Sequence, residues 1–177
     1  VLHCAYTADK AKIIVKEMTD LLVLDLVDKG LVTDQIVLTV GYDIDNLSDP
    51  AIRNKYRGEI TTDHYGRQTP KHAHGTANLP SMTSSTKMIM QAVEELYDRI
   101  INPDLLVRRI NLVAARVISE NDVVEKDSFE QLDLFTDYTA LEEERKLEQQ
   151  EREKEKRMQQ AVLDIKKKFG KNAVLKG

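Results

Sequence analysis

The sequence predicts an α+β fold. Two amphipathic helical patterns alternate with β-branched runs, the pieces fall into two similar halves, and a third, highly charged helical pattern follows an acidic break. The predicted order is a partial strand, helix, strand, strand, helix, strand. Two such halves with the helices on one side make the split β-α-β-β-α-β arrangement of ferredoxin-like sheets. The helices then cover one sheet face and leave the other free to meet a partner. The expected organisation is a domain over residues 1–118, an acidic linker over 119–138, and a charged helical extension over 139–177.

Each element has its own signal. Residues 8–28 read as a helix, with Thr7 as cap and Gly30 past the end. Ala11, Val15, Met18, Leu22 and Leu26 recur at helical spacing, and Ile14 and Leu21 widen the stripe. A strand is expected at 36–42, apolar on both parities and so at least partly covered on both faces. Residues 43–70, rich in Asp, Asn, Gly and Pro, read as one long loop. Residues 71–79 read as a weakly alternating strand ended by Pro80. A second helix over 84–101 buries Ile89, Ala92, Val93, Leu96 and Ile100, with Thr83 or Ser84 as cap. The clearest strand is 105–118. Thr139 and Glu142 make a capping box for a third helix that runs to about Phe169. Its middle, 148–157, is wholly polar, so it reads as solvated. Met158, Val162, Ile165 and Phe169 form the stripe that can pack.

Composition sets limits. Hydrophobic residues make up 41% and aromatic residues 5%, with no Trp, so the core is aliphatic. The net charge of −4 by itself argues weakly against nucleic acid, but it is unevenly placed. Residues 119–138 hold seven acidic side chains and one lysine, while residues 1–118 are close to neutral. Cys4 is the single cysteine, so an internal disulfide and a cysteine-rich zinc site are excluded. Nothing resembles a signal peptide or a membrane span, and a cytoplasmic location is expected. The chain starts at Val1, and its first residues read as the tail of an earlier strand in a longer protein.

Three constellations carry chemistry. In Gln131-Leu132-Asp133-Leu134-Phe135, Leu134 and Phe135 suit an apolar pocket and the Gln131 amide suits its rim. The alternative is that these apolar residues fold back on the domain. On the last strand, Arg109 and Asn111 share a parity opposite Ile110 and Leu112, so they face the open surface and suit phosphate contacts. The alternative is a merely solvated face. Lys71, His72, His74 and Thr76, with Asn78, form a second polar strand face.

Other signals are weaker. His72, His74, His64 and Asp63 contain a minimal ligand set, but no further spaced ligand accompanies them, and no metal site is predicted. Asp43, Asp45 and Asp49 suit turns better than a magnesium site, and no catalytic set is found. The run Lys166-Lys167-Lys168 suits a helix C-terminus.

Several stretches together resemble one family: QIVLTVGYD at 35–43, HGTANLPSMTSSTKMIMQAVEELYDRI at 74–100, VRRINLVAARV at 107–117, FEQLDLF at 129–135 and IKKKFGKNAVLKG at 165–177. The chain is similar to the C-terminal portion of Y-family translesion DNA polymerases, the UmuC/ImpB/MucB/SamB-like proteins of Gram-positive bacteria. The resemblance implies a little-finger domain plus tail, separated from the palm, fingers and thumb. It implies an open sheet face along primer-template DNA, with Lys71, His72, His74, Thr76, Arg109 and Asn111 near the phosphates. It implies docking on the bacterial sliding clamp through Gln131, Leu132, Leu134 and Phe135, and a role in DNA repair and the SOS response. The parent would be a DNA polymerase using Mg2+, while this portion would hold no cofactor and no activity of its own. The sequence departs from the family in its near-neutral charge, which implies modest DNA affinity offset by tethering. The competing reading is a protein-interaction domain without DNA contact, which forms a homo-dimer through the third helix. The helix's polar middle argues against a long coiled coil.

Overall fold

The computed structural model describes residues 1–123 and 138–170. The docking peptide at 131–135, the side chain of Thr139 and the tail after 170 lie outside the described residues.

The first helix, α1, spans Ala8–Lys29. The Thr7 hydroxyl accepts from the Lys10 amide, and Gly30 closes the other end in the left-handed region at φ 66°, where a side chain would be strained. Ala11, Val15, Val23 and Leu26 are buried, while Leu21 faces solvent, so the stripe is narrower than expected. Thr19 sits within the stripe because its hydroxyl donates back to the Val15 carbonyl at 2.7 Å.

Strand β1 (Leu31–Tyr42) is the centre of the sheet, with antiparallel β4 (Ala73–Thr83) on one side and β5 (Val107–Ala115) on the other. The expected first strand is reduced to a bridge at the outer side of β5, where Tyr6 and Val107 exchange two backbone hydrogen bonds. Each crossover helix therefore skips one strand, as in the split arrangement. The second crossover helix, α4, spans Thr86–Ile100 and is capped by Ser85, one residue beyond the expected cap.

Ile36, Leu38, Val40, Val107 and Ile110 turn toward α1 and α4 and meet Ile89, Val93, Leu96 and Tyr97. Gly75 sets the closeness of α4 to β4. A Cβ there would stand 2.7 Å from Leu96 Cδ1 and 2.8 Å from Ile100 Cγ2. The Tyr97 hydroxyl donates to the Ala8 carbonyl at 2.6 Å, and burial pushes its pKa up.

Pro80 does not end its strand. β4 is the outer strand of the sheet, where a missing N–H can face away from the ladder, and the register shift opposite Thr33–Gln35 absorbs the extra residues. The expected single strand over 105–118 is also broken. Arg116 takes φ 50°, and a short β6 (Ile118–Ser119) resumes the pairing with β1.

Residues 43–70 are not one loop. They fold into α2 (Asp45–Ser48), α3 (Pro50–Lys55) and a hairpin of β2 (Ile60–Thr62) and β3 (Gln68–Pro70). The aspartates do this work as caps and turn residues. The Asp43 carboxylate accepts from the Asp45 amide, and Asp49 caps α3 ahead of Pro50. Asn46 is buried and fully used. Its Nδ2 donates to the carbonyls of Asp43 and Leu106, and its Oδ1 accepts from the Leu106 amide.

The last helix, α5, spans Tyr138–Phe169 and packs by its polar middle, contrary to the expectation of a solvated stretch. Its docked side is Arg152, Glu155, Gln159 and Leu163, set over the N-terminus of α4. Glu155 accepts from the Ser85 hydroxyl and the Lys87 amide. Arg152 donates to the Ser84 hydroxyl at 2.7 Å, and Gln159 donates to the Ser84 carbonyl and Thr86 hydroxyl. Lys156 pairs with Glu120 and Lys167 with Asp28. A carboxylate at a helix N-terminus meets free N–H groups and the positive end of the dipole, which is why a charged stripe fits there. Met158, Ile165 and Phe169, expected to pack, are exposed.

Candidate nucleic-acid interface

With the helices on one face, every second residue of the three main strands falls on the other. The register assembles that face in rows. Arg109 lies opposite Gly41, and Asn111 lies opposite Thr39, which lies opposite His74. Val113, Val37 and Thr76 form the next row, and Ala115, Gln35 and Asn78 the last. The four rows extend about 20 Å along the strands.

Arg109 reaches this face through a register shift. Tyr42 pairs with Val107 and Gly41 with Arg109, so Arg108 is the extra residue of a β-bulge. Val107 is thereby kept in the core while Arg109 is exposed. Arg108 is drawn instead toward Asp43, 3.9 Å away.

The cations around the sheet differ in what they hold. Arg67 pairs with Asp63, Lys71 with Glu59 at 2.8 Å, and Arg116 with Asp34 at 3.1 Å. Arg99 donates to the Thr76 carbonyl at the β4 edge. Among the described residues the Arg109 guanidinium has no protein partner. Its charge is therefore available at the surface, where a phosphate oxygen would meet it without first displacing a carboxylate.

The polar neighbours are ordered. His74 Nδ1 and the Thr39 hydroxyl are 2.8 Å apart, and the His72 and His74 rings stand edge to face with centroids 6.4 Å apart. Gln35 donates to the Asn78 side-chain oxygen at 3.0 Å, and Arg116 reaches the same oxygen at 3.4 Å.

Of the residues singled out from sequence, His72, His74, Thr76, Arg109 and Asn111 share this face. Lys71 does not. It precedes β4 on the opposite parity, and Glu59 fixes its ammonium and raises its pKa. Sequence reasoning missed Thr39 and Gln35, which lie on the central strand of the face. Their signal would have been the polar pair Gln35 and Thr39 on one parity of β1, opposite Ile36, Leu38 and Val40, legible once β1 is known to be central.

The aspartates of 43–49 do not fit a magnesium pair, since Asp43 is buried on the Asp45 amide and Asp49 is spent on a cap. Among the described residues no group of three or more His, Cys, Asp or Glu side chains is placed to hold a metal ion. No described helix is long and apolar enough to cross a membrane.

Residues 4–134 match the model of the impB/mucB/samB family C-terminal domain. The chain belongs to that family. It carries the C-terminal domain of Y-family DNA polymerases, and the open sheet face is a surface of that domain. A comparison with curated proteins found no match.

Proposed function

We propose that this chain is the DNA-binding and clamp-docking C-terminal region of an error-prone translesion DNA polymerase of the Gram-positive type, acting in the cytoplasm in DNA-damage tolerance. The observation that carries the DNA reading is the Arg109 guanidinium on an open sheet face, without a protein partner among the described residues. Asn111 and the Thr39–His74 pair lie in the next row. Arg109 and the nearby polar groups would track the backbone phosphates of primer-template DNA without reading bases. His72, His74 and Thr76 extend that contact along β4. Arg109 is the one cation on the described part of this face without a protein partner, and residues 1–118 are close to neutral, so the grip on DNA is modest and its salt dependence shallow, close to that of a single phosphate contact.

Clamp docking rests on Gln131, Leu132, Leu134 and Phe135 alone, whose side chains in an acidic segment suit an apolar pocket and its polar rim. Tethering to the clamp would raise the local concentration of a weakly bound polymerase at the primer end. Template-directed nucleotidyl transfer with two Mg2+ ions would fall to other domains of such a polymerase, and this reading assigns no catalytic role to the described residues.

A second reading is supported by one feature. Met158, Ile165 and Phe169 leave an apolar flank on α5 exposed, which suits self-association through that helix. Sedimentation of the chain across a concentration series separates a monomer from a dimer.

The DNA reading is tested by fluorescence anisotropy of a labelled primer-template duplex titrated with the chain. Saturable binding at low salt is expected, and no binding at high protein concentration would contradict it.

A further inference from the structure

The β2–β3 hairpin ends in a turn tied by several hydrogen bonds around Asp63. Asp63 Oδ1 accepts from the amides of Tyr65 and Arg67, both at 2.9 Å. Its other oxygen takes the Arg67 guanidinium at 2.8 and 2.7 Å. The Asp63 amide donates to the Arg67 carbonyl, and Gly66 takes φ 78°. These contacts hold up a ring that buries almost nothing, because Tyr65 is 80% exposed. The Arg67 guanidinium lies over the ring, 5.2 Å from its centroid, and His64 meets it in a T-shaped contact at 5.5 Å. The hairpin ends at Pro70, ahead of β4, and the Thr69 hydroxyl donates to the Tyr42 carbonyl at 3.4 Å, so it lies at the end of the sheet that carries Gly41 and Arg109.

We propose that Tyr65 is a stacking platform for an unpaired base of single-stranded DNA next to the duplex held by the sheet. The inference rests on the DNA-binding reading and adds a second, chemically different contact to it. Ordering an exposed aromatic in advance lowers the entropy cost of stacking, and every base offers a π-face, so the contact is indifferent to sequence. The charge at the tip is already neutralised, because Asp63 holds Arg67. The hairpin therefore contributes stacking and little phosphate attraction. The two surfaces divide the work, the sheet supplying salt-sensitive attraction and the tip a largely salt-insensitive stack on the template strand beyond the primer.

The test compares the full chain with its Tyr65→Ala and Tyr65→Phe variants on two labelled DNAs: a blunt duplex, and the same duplex with a single-stranded template tail. Folding is not at stake, since the ring is exposed and the turn's hydrogen bonds use backbone amides and Asp63. Tyr65→Ala is expected to weaken the tailed DNA by about 5- to 100-fold and the blunt duplex by less than about twofold, with Tyr65→Phe close to the parent. The slope of affinity against salt should stay the same. Tailed DNA bound equally well after Tyr65→Ala would overturn the inference. If Arg109→Ala still weakened both DNAs, the sheet reading would stand. Equal losses on both DNAs would also overturn it, because the ring would then not act on an unpaired base. Failure of the unaltered chain to bind either DNA would remove the underlying reading and this one with it.

Discussion

A Cβ built on Gly41 would stand 3.2 Å from the Cβ of Arg109 directly across the ladder. The glycine therefore leaves the room in which the arginine stem lies over β1. The bulge at Arg108 places Arg109 on the open face, and the missing side chain at 41 lets it lie there. Gly41→Val is expected to displace Arg109 and weaken DNA binding about as much as removing the guanidinium, with all charges retained. Anisotropy on the same duplex, paired with circular dichroism to confirm the fold, checks this.

Gly75 plays the corresponding part on the helix side. Gly75→Val drives a branched side chain into Leu96 and Ile100, and overpacking of this kind costs about 1–3 kcal/mol. Urea denaturation should show a lower midpoint with an unchanged slope.

The polar docking of α5 depends on Gln159, which is buried and donates to the Ser84 carbonyl. Gln159→Ala leaves that acceptor unmatched at a cost of about 1–3 kcal/mol. Amide exchange should speed up through α5 while the sheet stays protected. Equal acceleration in both would mean that helix and sheet unfold as one unit.

The hairpin turn carries its own pH dependence. Backbone and guanidinium hydrogen bonds hold the Asp63 pKa below its ordinary value. A depressed carboxylate pKa stabilises the fold above the ordinary value, about 3.9, and that contribution is lost as pH falls through the folded-state pKa. The Tyr65 and Arg67 amide resonances should therefore hold steady at neutral pH and shift only below about pH 4. Asp63→Asn should abolish the shift.

The parts of this account that were legible in the sequence are those that depend on local pattern. Arg109 and Asn111 could be assigned to the open face because Ile110 and Leu112 fix the parity of β5. Thr7, Gly30 and the α4 stripe follow from spacing alone, as does the α1 stripe except at Leu21. Which strand is central is decided by pairing between distant residues, so Thr39 and Gln35 stayed hidden, and so did the freedom of Pro80 to sit on an outer strand. The phase of α5 was misread for a different reason. Hydropathy gives Arg152, Glu155 and Gln159 no weight, although the N–H groups and hydroxyls at the start of α4 are a good partner for them. Asp43, Asp45 and Asp49 were legible as turn residues, but the short helices that they close were not, and neither was the hairpin turn tied by Asp63.

The most direct test of the account is the salt dependence of primer-template binding by the chain and by Arg109→Ala. If Arg109 neutralises a phosphate, the slope of log K against log salt should fall by about 1 in the variant, with weaker binding across all sequences. An unchanged slope and affinity would mean that the open sheet face does not carry the DNA, and the central claim would fail.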